Sequence, residues 1–388
     1  MNRDSNAGVR VTRIRLENWR NFTKAEVELQ QRVFLVGPNA SGKSNFLDAL
    51  RFLHDLAEVG GGFQDAVGRR GGVSSLRALA ARQKPDIAIE VDLGTDDEVQ
   101  WTYELRFSQP PKSMAPIVKR ERASRGGHEL LLRPDKDDER DPARLTQTHL
   151  EQVNVNRDFR EVAEFFTSIR YLHIVPQLVR EPARSVGKVN DPYGGDFLER
   201  VAKTNERTRQ ARLRRIQQAL KVAVPQLQEL LLSRDEKTGT PHLRGKYEHW
   251  RAQGAWQTEE RFSDGTLRLL GLLWAALDEG GPLLLEEPEL SLHPEVVRFL
   301  PQLFWRVTRK SGRQILISTH SPELLSDSGI GLDEVLLLIP EREGTRLQLA
   351  SSIEETRELL RGGLSLPESV LPRTRPQHAD QLALFPSQ

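Results

Sequence analysis

A chain of 388 residues with 56 Lys and Arg against 55 Asp and Glu, a net charge of +1 and no cysteine has room for a sizeable core or for more than one domain. Without cysteine it uses no disulfide, cysteine-ligated zinc or thiol nucleophile, and its balanced charge excludes a molecule that grips nucleic acid with its whole surface, so any such contact needs a local patch. No run of about 18 apolar residues occurs, so no membrane span is expected, and the polar start MNRDSNAGVR lacks an apolar signal region, which predicts the cytoplasm.

Residues 11–16 alternate apolar and basic side chains, as an antiparallel strand does. LENWRNF (16–22) follows, and residues 25–29 alternate again. A short apolar run, 33–36, then leads into GPNASGKS: Gly37, Pro38, Asn39, Ala40, Ser41, Gly42, Lys43 and Ser44. The run matches G-x-x-x-x-G-K-[ST], with a strand before it and a helix predicted over 45–56 behind it, which is the context a phosphate-binding loop requires. Glycines let the backbone turn successive amide N–H groups inward, and the helix N-terminus, with Asn45 in its first turn, favours anions. Lys43 is expected to reach the β- and γ-phosphates of a nucleotide and Ser44 to ligate Mg²⁺.

Glycines at 60–62 and the segment 69–72 mark a loop after the first helix. Residues 87–93 and 101–107 alternate with period two and read as sheet, which 117–122 and 130–132 extend. Residues 134–142 read as a charged loop, 158–166 as helix and 169–175 as a buried strand. A long polar helix with an apolar stripe is predicted over 199–222, ended by Pro225, with a further helix to about 232. Strand is predicted over 243–250, 283–285, 314–318 and 335–339, and helix over 263–277, 295–308 and 352–360. From Pro367 a Pro/Arg/Gln-rich composition predicts disorder. There is no internal repeat and no heptad run long enough for a coiled coil.

Three further motifs carry chemistry. In LLLEEPELSLHP (283–294) an apolar strand ends in two acids, a Walker B pattern. Glu286 is expected at Mg²⁺ and Glu287 at the attacking water, as its orienter or base. In ILISTHSPELL (315–325) a buried strand ends at His320, placed to hydrogen-bond a γ-phosphate oxygen and report its presence. In FSDGT (262–266) Ser263 and the Gly265 amide stand at a helix N-terminus, an anion site.

In this order the motifs resemble the ABC-type ATPase heads of the RecF, SMC and OLD branch. SDG stands where transporters carry Ser-Gly-Gly, EEPELSLHP resembles the Walker B and D-loop of OLD-like ATPases, STHSPELL their His switch, and LENWRNF the N-terminal motif of RecF and SMC heads. Glu286 departs from the Asp found in many ABC heads, and its extra methylene loosens the Mg²⁺ geometry. The resemblance implies an α/β P-loop NTPase fold, an ABC head with an antiparallel β subdomain and an inserted helical lobe. It divides the chain into an N-terminal ATPase lobe (9–175), a helical, signature-side lobe (176–257), a C-terminal ATPase lobe (258–366) and a disordered tail (367–388).

The resemblance also implies ATP and Mg²⁺ as ligands and a homodimer that sandwiches two ATP, with Ser263 capping the partner's nucleotide in trans and residues 291–293 as the D-loop. A Q-loop residue at nucleotide and metal is expected after the strand 169–175, with Gln177 the candidate and Arg180 its rival. Arg20 is read either as a contact to nucleotide phosphate or as a surface ion pair.

The segment between 63 and 262 cannot hold SMC coiled-coil arms, and the 68 residues after His320 are too few for the Toprim nuclease of OLD proteins. The expectation is an ATP-hydrolysing head that acts on DNA, or controls a separate nuclease or effector chain, in DNA repair or phage defence. A nucleotide-gated switch with little turnover is the alternative, and a transporter subunit the third reading. Two basic segments could meet DNA: 119–125, and a helix carrying Lys203, Arg207, Arg209, Arg212, Arg214 and Arg215, which reads equally as a solvated face. Near the end QLALF (381–385) resembles the peptide by which bacterial proteins dock on the sliding clamp, with Gln381 fixing register and Leu382, Leu384 and Phe385 entering a groove. Packing of these side chains on the chain's own ATPase is the other reading.

Overall fold

The structure, a computed structural model, describes residues 8–81, 86–110, 115–181, 191–249, 255–278 and 280–375. In chain order the strands are β1 (Arg10–Trp19), β2 (Phe22–Glu28), β3 (Arg32–Val36), β4 (Ile87–Gly94), β5 (Val99–Ser108), β6 (Ile117–Arg125), β7 (His128–Arg133), β8 (Arg170–Leu172), β9 (Leu227–Arg234), β10 (Pro241–Tyr247), β11 (Ala255–Thr258), β12 (Leu283–Glu286), β13 (Ile315–Thr319), β14 (Val335–Glu341) and β15 (Gly344–Leu349).

The central sheet runs β15-β14-β3-β13-β12-β8. It is parallel from β14 to β8, with β15 antiparallel at one edge. Its strands are short and apolar because both faces are covered, and the two-residue side-chain period divides them between two cores. Val33, Leu35, Leu284, Leu316, Leu336 and Leu338 face one core; Phe34, Val36, Leu283, Leu285, Ile315, Ile317, Val335 and Leu337 face the other.

The first core is closed by the antiparallel sheet β2-β1-β4-β5-β6-β7, with helix Lys43–Ala57 between the two sheets. That helix buries Phe46, Leu47, Ala49, Leu50, Phe52, Leu53 and Leu56, an i, i+3, i+4 stripe. A row of aromatic contacts stitches it to the sheet: Trp19–Phe52 at 5.3 Å, Phe52–Phe107 at 5.6 Å and Phe63–Phe107 at 5.3 Å between centroids. Such pairs contribute about 0.5–1.5 kcal/mol each beyond area burial. The second core is closed by helices Asp264–Leu277 and Leu300–Ser311 and by a lobe in which helix Glu206–Ala223 lies against the small sheet β11-β10-β9.

Several elements differ from expectation for identifiable reasons. The segment expected to be helix up to about 232 is strand β9, because Leu227 and Leu230 pack into the lobe while the backbone pairs with β10. The long polar helix is two helices, Phe197–Lys203 and Glu206–Ala223, the second capped by the Asn205 side chain. The strand expected over 169–175 is only three residues long. The charged loop 134–142 holds the short helix Lys136–Arg140, closed by a capping box between Asp135 and Asp138. The disorder expected from Pro367 does not begin there: helix Leu366–Val370 buries Leu366 and Val370 in the second core, with a Ser365–Glu368 capping box and Pro367 in its first turn, where a missing N–H is harmless. Residues 381–385 lie outside the described residues. Among the described residues no helix is long and apolar enough to cross a membrane.

Under the antiparallel sheet, Arg133 and Glu121 form a fully buried ion pair (3.1 Å) that Asp138 completes at 2.8 Å. Glu121 also accepts the His149 and Leu150 backbone N–H groups at 2.7 and 2.9 Å and the Tyr103 hydroxyl at 3.1 Å. Burial pushes the Glu121 carboxyl up. At Asp138 burial works against ionisation, yet the Arg133 guanidinium holds the carboxyl well below the usual carboxylate range. Breaking such a pair strands a buried charge, which costs about 3–5 kcal/mol. Arg133→Met is therefore expected to lower the unfolding free energy by about 3–5 kcal/mol, read by chemical denaturation of the full chain; a loss under about 1 kcal/mol would contradict a dry, fully paired network.

Candidate nucleotide site

Strands β3, β13 and β12 are neighbours in parallel register: Glu286 lies beside Ser318, Ser318 beside Leu35, and Thr319 beside Val36. Their carboxyl ends therefore finish at one edge of the central sheet, where α/β sheets bind ligands. Three motifs distant in sequence meet there: Gly37 after β3, Glu286 and Glu287 at the end of β12, and His320 after β13.

The loop after β3 is held from behind. Gly42 has φ 97° and precedes helix Lys43–Ala57; a Cβ there would lie 2.1 Å from the Asn21 side-chain nitrogen, so the position needs glycine for space and for backbone. Asn21 donates to the Ser41 carbonyl (3.0 Å) and to Thr345 Oγ1 (2.6 Å) and accepts from Asn45 (2.7 Å). Thr345, on β15, also donates to the Ser41 carbonyl at 2.8 Å. The Trp19 indole N–H reaches the Asn45 carbonyl at 2.8 Å. LENWRNF thus buttresses the loop and the first turn behind it. Ser41 and Lys43 are buried, while Asn39, Ala40 and Ser44 are exposed at the mouth. The Lys43 ammonium donates to the Gly37 and Pro38 carbonyls at 2.8 and 3.0 Å. Burial lowers its pKa, against the pull of Glu287, Glu289 and Glu286.

Glu286 accepts from the Ser44 and Tyr171 hydroxyls, and His173 Nδ1 lies 3.3 Å from its carbonyl oxygen. These groups line a cleft of about 550 Å³ with Arg20, Asn45, Asp48 and Arg70. Burial raises the Glu286 pKa, and repulsion from Glu287 adds to it. Glu287 sits at φ 42°, a conformation that costs a non-glycine residue roughly 1 kcal/mol or more. Its N–H is held by the Ser318 carbonyl (3.0 Å) and hydroxyl (3.3 Å), and its carboxylate lies 3.2 Å from His320 Nδ1. Behind them Thr319 donates to the buried Glu289 carboxyl at 2.5 Å, whose pKa burial raises.

Ser263 caps helix Asp264–Leu277 through the Thr266 N–H at 3.2 Å and is itself exposed. A Cβ on Gly265 would lie 2.4 Å from the Ser291 carbonyl oxygen, so the Ser263–Thr266 turn rests directly on the turn at Ser291, which takes φ 62°. From the other side Arg180 donates to the Phe262 carbonyl (2.6 Å) and to Asp264 (2.7 Å). Gln177 is exposed on the short helix Pro176–Arg180 and does not line the Ser44–Glu286 cleft; Tyr171 and His173 do. Arg20 lines that cleft but is ion-paired with Asp48 at 3.0 Å.

The basic segments divide. Arg120 and Arg122 pair with Glu104 at 3.2 and 3.4 Å, and Arg125 lies 3.5 Å from Glu161, so that segment is largely neutralised. On helix Glu206–Ala223, Arg212 is bound to Asp278 (2.8 Å) and stacked on Trp274, and Arg209 caps carbonyls of the preceding turn; Lys203, Arg207, Arg214 and Arg215 are exposed. Sequence reasoning missed Asn21, Thr345, Tyr171 and His173. Asn21 lies inside a motif that had been singled out, whereas the others reach the site only through the pairing of β15 and β8 into the central sheet.

The family model "AAA domain, putative AbiEii toxin, Type IV TA system" matches residues 32–326, more than half of the chain. No curated protein matches. Among solved structures, the SMC head bound to the C-terminal winged-helix domain of ScpA is similar at 12% identity and a TM-score of 0.53, over 87% of this chain and 97% of that one. The Pyrococcus furiosus SMC head with an extended coiled coil, bound to the C-terminal domain of ScpA, gives 12% and 0.52 over 91% and 100%. The Pyrococcus yayanosii SMC head with a coiled coil and joint gives 11% and 0.50 over 90% and 100%. The family match over residues 32–326 places the chain in that AAA-domain family, and its fold is the one these SMC heads share.

Proposed function

We propose that the chain binds and hydrolyses Mg²⁺-ATP, closes around it as a homodimer, and uses that cycle to act on DNA or to control a separate effector chain such as a nuclease. The observation that carries the hydrolytic reading is the Glu287–His320 pair, 3.2 Å apart beside the phosphate loop. The site's residues fit the ligand: a cradle at Gly42 that a Cβ would fill, a buried ammonium, and a serine hydroxyl already in contact with a carboxylate. Ser44 and Glu286 would hold Mg²⁺, which when bound neutralises phosphate charge.

Lys43 exchanges its two backbone carbonyls for phosphate oxygens, which suits a cation that burial already penalises. The left-handed backbone of Glu287 turns its carboxylate away from Glu286 and toward His320, so neighbouring acids take different tasks. Glu287 accepts the proton of the attacking water, and His320, half exposed after β13, orients Glu287 and senses the terminal phosphate. Ser263 is exposed at a helix N-terminus that Arg180 and Ser291 fix in place, which supports its use by a partner's nucleotide rather than by its own. Gln177, exposed near the same turn, is proposed to join nucleotide and Mg²⁺ only on closure, and Arg20 to leave Asp48 for phosphate then. The ScpA-bound SMC heads support a separate chain docking on a head of this shape. DNA repair and phage defence are the settings such a head suits.

Glu287→Gln keeps the shape of the side chain and removes its basicity. Turnover is expected to fall by about 10²–10⁴-fold with ATP affinity retained and an ATP-dependent dimer accumulating in size exclusion with light scattering. Turnover within about twofold of wild type would remove Glu287 from the chemistry.

For DNA the exposed cations decide. Joint reversal of Arg207, Arg214 and Arg215 to Glu is expected to weaken duplex binding and flatten its log–log salt dependence by about 0.9 per lost phosphate contact, measured by fluorescence anisotropy across salt concentrations. An unchanged slope would make this helix a solvated face.

A further inference from the structure

A second cavity, of about 460 Å³, lies beside the outer edge of the central sheet, against β8 and the C-terminal half of helix Lys43–Ala57. Arg51, Arg69, Arg170, Arg200 and Arg313 all line it. Arg313 is occupied by the Gly281 and Ala275 carbonyls at 2.6 and 2.8 Å, and Arg69 by Asp65 at 2.7 Å. Arg200 reaches Asp278 only at 3.6 Å, a carboxylate that Arg212 already holds at 2.8 Å. Among the described residues, Arg51 and Arg170 have no hydrogen-bond or ion-pair partner; Arg51 only stacks over the Tyr171 ring at 5.2 Å.

The cavity's carboxylates offset these cations only in part: Asp278 and Glu58 attract Arg170 through space, and one Asp191 oxygen is buried without a hydrogen-bond partner among the described residues. Asp55 is bound to Arg70 at 2.8 Å, Glu58 faces His54 at 3.8 Å, and Asp191 accepts the Tyr193 N–H at 3.0 Å. Burial, with Arg200 adding to it, pushes the Arg170 guanidinium down from its ordinary value. Burial, together with Arg170 and Arg200, pushes Arg313 down to about 10. Two part-buried guanidinium groups without a hydrogen-bond or ion-pair partner among the described residues line one cavity, and such forks suit phosphate oxygens; the volume is that of a small-molecule site.

We infer that this cavity is a second anion site that takes a small phosphate-bearing molecule at Arg170 and its neighbouring arginines; it adjoins the nucleotide cleft, which Arg51, Asp55, Arg69 and Tyr171 also line. It is also wired to the nucleotide cleft. Tyr171 lies under Arg51 on one side and donates its hydroxyl to Glu286 on the other, so an anion that draws Arg51 off the ring frees the group that positions Glu286. This regulatory part rests on the proposed function; the binding itself does not.

Isothermal titration of the full chain with inorganic tripolyphosphate tests the binding without ATP turnover, so its outcome is independent of the hydrolytic reading. Lys43→Ala, which disables the phosphate loop, is expected to retain one equivalent of bound tripolyphosphate. Adding Arg170→Gln, or separately Arg200→Gln, both of which line this cavity and not the nucleotide cleft, weakens it by about tenfold or more, about 1.4 kcal/mol, while adding Arg69→Gln at the rim leaves it within about twofold. If Arg170→Gln fails to fold by circular dichroism, Arg200→Gln decides. Absence of binding in Lys43→Ala, binding by the Arg170 and Arg200 variants undiminished from that of Lys43→Ala, or competition by a short DNA duplex, which would make this an open nucleic-acid surface, would each overturn the site.

Discussion

The hydrogen-bonded register of three parallel strands governs the rest of this structure. Because β3, β13 and β12 pair with Leu35, Ser318 and Glu286 side by side, a glycine loop near the start of the chain leaves the sheet at the same edge as two glutamates and a histidine that lie hundreds of residues beyond it. Both faces of that sheet are sealed by apolar cores whose side chains alternate along each strand. A one-residue slip of any of the three would exchange the faces and bury the chemistry. Packing and function thus share one constraint: the register that fills the cores also aims the site.

Charge at that edge is concentrated and incompletely neutralised by the chain itself. Lys43, Glu286 and Glu289 are all disfavoured in their charged forms by burial, and Glu287 holds a strained backbone beside them. Such arrangements are retained where a ligand completes them. On the proposed function, a polyanion with a divalent cation would supply both missing signs: phosphates for Lys43 and the loop amides, a metal for Glu286 and Ser44. The same logic separates this edge from the buried Arg133–Glu121–Asp138 group, where every charge already has its partner and the result is a structural joint.

Motifs whose chemistry depends on local backbone were legible in the sequence: the loop from Gly37 to Ser44, the acids closing β12, His320, and the Ser263 cap. The alternation of β4 and β5 was equally legible. Illegible was whatever depends on pairing between distant segments. Asn21 reaches Ser41 and Thr345 only because β1 and β15 converge behind the loop, and Tyr171 meets Glu286 only because the three-residue β8 adds to β12. The 227–232 segment misled for a related reason: its leucines satisfy either period, and the partner strand β10 decided. On the basic helix, residue type alone could not distinguish Arg212, consumed by Asp278 and Trp274, from Arg214 and Arg215, which face solvent.

On the proposed function, one chain carries half of each working site: loop, acids and histidine at one place, and a rigid, exposed serine cap offered to a second copy. The dependence of ATP turnover per chain on chain concentration tests this most directly. Shared sites give a specific activity that rises with concentration through the dimerisation range and then levels off. Specific activity that stays constant down to concentrations where light scattering finds only monomer would contradict it.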